Sequence, residues 1–119
     1  MQKSLELLKQ CTILYVENDK KTADETMELY EAIFKKVHFA SNGKDGLELF
    51  KRLYGEIDLT ITEVNLPIMT GIQMVTNIRD KYGYKHPIIF STQKTNDSTL
   101  LQCLKLGAAD YLGKNKSSQ

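Results

Sequence analysis

Acids, an amide, a hydroxyl and an amine stand at a few fixed places in this sequence. Glu17-Asn18-Asp19 follows the apolar run TILYV, and Glu63 closes a second run and is followed by Asn65. Ser91-Thr92 follows PIIF, and Tyr111 is followed by Lys114. Together these groups suit phosphoryl chemistry. A Mg²⁺ ion takes oxygens from a few carboxylates and from the phosphate itself. Phosphoryl transfer needs mostly positioning and charge neutralisation. A carboxylate can be the nucleophile, and a lysine and a hydroxyl can hold the remaining phosphate oxygens. Singly, each residue has a plainer reading. A glutamate at a strand end is solvated, Asp19 is a helix N-cap, and a lone lysine lies on the surface.

Their meaning depends on the elements that carry them. Thr12 to Val16, Val37 to Ala40, Leu59 to Val64, Pro87 to Phe90 and Ala109 to Leu112 are short apolar runs that predict strands. Between them lie four stretches with apolar residues at helical spacing. Lys20 to Phe34 carries Ala23, Met27, Tyr30, Ile33 and Phe34. Lys44 to Tyr54 carries Leu47, Phe50 and Tyr54, with Gly55 as a stop. Gly71 to Tyr82 carries Ile72, Val75, Ile78 and Tyr82, and Asp97 to Leu106 is expected to face Leu100, Leu101 and Leu104 inward. Strand and helix alternate, which predicts a parallel sheet with helices on both faces. Ligands of such sheets sit beyond the carboxyl ends of the strands. The chemistry-bearing residues fall at those ends.

The bulk composition narrows the class. The 119 residues make one domain, and 41% hydrophobic with 26% charged residues is ordinary for a globular protein. Lys plus Arg number 16 against 15 Asp plus Glu, so no overall charge draws the domain to nucleic acid or to an anionic membrane. Cys11 and Cys103 have no CxxC or His partners and read as small packing residues. No apolar run reaches membrane-spanning length and no secretory h-region is present, so a cytoplasmic protein is expected. Residues 1–10 form an amphipathic segment with Leu5, Leu7 and Leu8, and residues 11–119 form the domain. GxGxxG and Walker patterns are absent, which disfavours a flavodoxin-like cofactor binder.

Several stretches, in this order, resemble the receiver domains of two-component response regulators. TILYVENDK stands where that family has an acidic pair after its first strand. DLTITEVNLPIMTG, Asp58 to Gly71, is similar to the family's D-L-x-L-x-D-x-x-M-P-x-M-x-G. PIIFST and GAADYLGKN match the later signatures. The resemblance implies a flavodoxin-like α/β fold with a five-stranded parallel sheet, order 2-1-3-4-5. It places Glu17 and Asn18 at the acidic pair and Glu63 at the phosphate-acceptor position. Asn65 falls where a backbone carbonyl ligates the metal. Thr92 and Tyr111 fall at the switch positions, and Lys114 at the phosphate-binding lysine. It further implies a signalling module, not an enzyme, whose partners are a histidine kinase or another signalling protein and an effector domain of a larger chain.

The departures from the family pattern fall in one pocket. Glu63 stands where the family has Asp, and its extra methylene carries the carboxylate about 1.5 Å further toward Thr92 and Lys114. Asn18 replaces a carboxylate, so only weak Mg²⁺ binding is expected. Asn115 replaces the usual proline, where a cis peptide would cost about 2.5–4 kcal/mol. The family's fifth helix has no counterpart in the few residues after Lys114. The expectation is an atypical receiver with reduced or no aspartyl phosphorylation. The alternative is a receiver that still accepts signal from a histidine kinase, with Glu63 as an unusual acceptor or an engineered acidic mimic.

Overall fold

The computed structural model describes residues 6–92 and 96–113, the last four as backbone. Strands β1 (Thr12–Val16), β2 (Lys36–Ala40), β3 (Leu59–Thr62) and β4 (Ile88–Thr92) alternate with helices. The helices are α1 (Lys20–Ile33), α2 (Gly43–Arg52), α3 (Gly71–Tyr82) and α4 (Asp97–Lys105). The strands run parallel in the order β2-β1-β3-β4, and the backbone of β5 (Asp110–Gly113) pairs outside β4. The fifth-helix expectation concerns residues 114–119, which lie outside the described residues, as does Leu5 in the N-terminal segment.

Every residue of β1 is buried, as a central parallel strand covered on both faces must be. Leu14 and Val16 face Phe50 of α2, Met74, Val75 and Ile78 of α3, and Cys103 of α4. Ile13 and Tyr15 face the other way, onto Met27, Tyr30 and Phe34 at α1. The alternation of side chains along a strand thus splits one apolar run between two cores.

The helix starts are fixed by side chains at the strand-end edge. Asp19 caps α1, accepting from the Thr22 N–H at 2.9 Å and from its hydroxyl at 2.6 Å. Asn42 and Asn96 cap α2 and α4, and Thr70 with Gln73 forms a capping box on α3. Three boundaries differ from the sequence expectation by two residues. Helix α2 ends before Tyr54, because Leu53 is its C-cap and Gly55 turns the chain beyond it at φ 97°. Strand β3 ends at Thr62, so Glu63 and Val64 open the following loop. Strand β4 runs on through Ser91 and Thr92.

The orientation of α4 is a correction. Leu101 and Leu104, expected inward, are 53% and 56% exposed, and Leu100 is only half-buried. Cys103 is the buried residue of this helix. Three leucines at helical spacing define a stripe, but the end of the helix decides which stripe turns inward. That end is tied down by Arg79, itself 3% exposed. Its Nε donates to Leu106 O at 2.8 Å, Nη1 to His86 O at 2.8 Å, and Nη2 to Gly107 O at 3.2 Å.

Candidate functional site

The carboxyl ends of β1 and β3 are adjacent in the sheet, so Glu17 and Glu63 leave it side by side. Glu17 is 2% exposed, and its Oε2 accepts the Asp19 N–H at 3.1 Å. Asn18 faces solvent, and Asp19 is committed to capping α1. Of the expected acidic stretch, only Glu17 is therefore a buried carboxylate.

Glu63 is 5% exposed and its backbone N–H donates to Val16 O at 2.9 Å. Its Oε2 accepts from the backbone N–H of Val64 at 2.6 Å and of Asn65 at 2.9 Å. The extra methylene lets this oxygen turn back onto the loop that follows it. Charge-assisted bonds to backbone N–H groups are the stronger kind, so this arrangement holds the loop as well as the side chain.

The loop is also held from outside. A Cβ on Gly71 would collide with the carbonyl oxygen of Glu63, and one on Gly43 with that of Met69. The Gly71 N–H donates to Val64 O at 2.8 Å. At the tip, the Met69 N–H donates to Pro67 O at 2.7 Å and closes a γ-turn around Ile68, at φ 70°. Thr92, at the end of β4, is fully buried, and its Oγ1 accepts from Asn65 Nδ2 at 3.4 Å. The loop after Glu63 therefore reaches the end of β4.

The electrostatics reflect the same crowding. The Tyr15 hydroxyl has its pKa raised, first by burial. A hydrogen bond with Thr26 opposes this, and the negative charges of Glu17 and Glu63 add to it.

The donor set fits a Mg²⁺ ion poorly. Two carboxylates are available, each with an oxygen already accepting backbone N–H bonds, and the third position holds an exposed neutral amide. Among the described residues, no three His, Cys, Asp or Glu side chains gather into a metal site. Asn65 offers its N–H to Glu63 and its side-chain amide to Thr92, and neither bond involves the backbone carbonyl expected to face a metal. For Tyr111 only the backbone is described, in register with Phe90. Lys114 and Asn115 lie outside the described residues. Reading the sequence missed Gly43 and the side chain of Asn65. Neither carries a local signal, because each acts on a residue far along the chain.

The family model described as the response regulator receiver domain matches residues 13–119. The chain is 37% identical over 103 residues to the transcriptional regulatory protein PcoR of Escherichia coli, covering 86% of this chain and 44% of PcoR. It is 30% identical to the two-component response regulator-like APRR1 of Arabidopsis thaliana, covering 86% of this chain and 17% of that protein. The chain thus spans less than half the length of these relatives. Among solved structures, it is similar to the non-phosphorylated HemR receiver domain of Leptospira biflexa. The TM-score there is 0.80 at 25% identity, over 89% of this chain and 83% of that one. The fold also matches a chain of the CheX-CheY-BeF3-Mg+2 complex of Borrelia burgdorferi, with a TM-score of 0.81 at 21% identity, over 87% of this chain and 78% of that one.

Proposed function

The chain belongs to the response regulator receiver domain family, and from that premise we propose that it is an atypical receiver of two-component signalling. It acts as a regulatory interaction module with reduced or no phosphorylation at the acceptor position. The observation that carries this reading is the buried Glu63 carboxylate, whose Oε2 is held by the N–H groups of Val64 and Asn65. In-line attack on phosphorus depends on how the acceptor carboxylate is positioned. Here one of its two oxygens is a double hydrogen-bond acceptor on a longer side chain, which holds the carboxylate against its own loop. The loss of a carboxylate at Asn18 weakens Mg²⁺ binding in the same pocket, and the charge of a transferring phosphoryl group would be poorly neutralised.

The partners on this reading are a histidine kinase or another signalling protein, and an effector domain of a longer chain in the cytoplasm. Relatives named as transcriptional regulators are more than twice as long as the shared region, which supports an attached output domain. Lys114 is proposed as the phosphate-binding lysine, and Thr92 with Tyr111 to couple the pocket to the α4–β5 side.

The test is intact-mass measurement after incubation with Mg²⁺ and a small-molecule phosphodonor such as acetyl phosphate. The expected result is no phosphorylated species. A stoichiometric gain of one phosphate would favour the reading in which Glu63 is a working acceptor. Glu63→Asp under the same conditions separates a blocked acceptor, which gains phosphate, from a pocket also disabled at Asn18, which does not.

A further inference from the structure

We propose that Asn65 is a positioning residue, whose side chain sets the end of β4 from the Glu63 loop without a phosphate. This rests on the reading of the pocket as one that works without acceptor phosphorylation. Asn65 serves two neighbours at once. Its backbone N–H donates to Glu63 Oε2 at 2.9 Å, and its side-chain amide donates to Thr92 Oγ1 at 3.4 Å. The first bond, with that of Val64 at 2.6 Å, fixes the backbone of residue 65, and so fixes where its amide points. Gly71 closes on the Glu63 carbonyl from behind, and Gly43 closes on Met69, so the loop cannot back away from β4.

The consequence lies at Thr92. It is fully buried at the last position of β4, and the N-cap of α4, Asn96, follows shortly after. A hydroxyl that accepts a bond from Asn65 is already oriented by this domain's own loop. The input to the α4 side is then the state of the Glu63–Asn65 unit. Any event that disturbs the carboxylate, such as a bound cation or partner, moves the Asn65 backbone and releases its amide from Thr92. The linkage is local and requires no covalent step.

The test is residue-resolved amide hydrogen exchange on the full chain, without phosphodonor or Mg²⁺. In Asn65→Ala and Asn65→Asp the side chain can no longer donate. Exchange at Thr92 and in the first turn of α4 should speed up about tenfold, the scale of losing one hydrogen bond to a buried hydroxyl, with β1 and β3 unchanged. Asn65→Gln keeps a donor and should recover most of the protection. Glu63→Gln should loosen the same residues, and Glu63→Gln with Asn65→Ala should loosen them no further than either alone. Unchanged exchange at Thr92, a uniform rise that includes β1, or no recovery in Asn65→Gln would each overturn the proposal. Because no phosphate is present, these outcomes stand apart from the intact-mass result, and each of the two readings can fail alone.

Discussion

At the scale of single residues, Ile68 is the one non-glycine residue with a positive φ among the described residues. It is β-branched, sits at φ 70°, and is 77% exposed. A left-handed conformation costs an L-residue about 1–2 kcal/mol, and little packing offsets it here. Glycine would relieve that strain but would add about 0.5–1 kcal/mol of chain entropy to the unfolded state. Ile68→Gly is therefore expected to stabilise the domain by about 0.5–1 kcal/mol. A urea midpoint that falls instead would show that the side chain is held by contacts. Glu63 makes a related point about legibility. Its identity and place are read directly from the sequence. That one of its oxygens turns back onto Val64 and Asn65 is not, because a glutamate's extra torsion is resolved only by the N–H groups the folded loop presents to it.

At the scale of elements, the N-terminal ends of the helices are written in the sequence and the packing between elements is not. Asp19 is recognisable as a cap in the sequence, and Asn42, Thr70 and Asn96 cap the other helices in the same way, because capping is a local reaction between a side chain and the next turn. Arg79 has no such signal. It stands in the last turn of α3, where a basic residue is expected on the surface, yet its guanidinium is spent on carbonyls of the α4 end and of the loop before β4. Three carbonyl acceptors come from two other segments, so only the folded chain assembles them. The same tether explains why Leu101 and Leu104 turn outward. Arg79→Met, which keeps the apolar stem, is expected to lose about 2–4 kcal/mol in urea unfolding, since buried carbonyls are left unpaired. Arg79→Lys should recover little, because an ammonium cannot reproduce the planar fork. Full recovery by lysine would show that charge at the end of α4, not the fork, is what matters.

At the scale of the whole molecule, stability should depend on pH through His86, at the edge opposite the candidate site. Its ring packs edge-on against Phe50 at 4.8 Å between centroids, and its Nε2 is 2.9 Å from Thr60 Oγ1. Burial, then the Arg79 charge, lower its pKa from 6.5 to about 4, with Asp58 opposing. The folded state thus holds the neutral ring while the unfolded chain takes up a proton first. The His86 contribution is complete above about pH 6.5 and is lost as pH falls toward about 4. Its size is on the order of 2 kcal/mol, after allowance for the ring's partial exposure. Urea titrations across this window should show that slope, and His86→Gln should flatten it; an equal slope in the variant would place the effect elsewhere. The sequence by itself determined the alternation of strand and helix, the helix starts, and the family to which Glu63, Thr92 and Lys114 point. Each of these is a local pattern or an ordered set of local patterns. Only the tertiary structure decided the inward stripe of α4, the burial of Arg79, the return of a Glu63 oxygen onto its own loop, and the reach of Asn65 to Thr92. Those depend on groups far apart in the chain, and no local preference specifies which of them will meet.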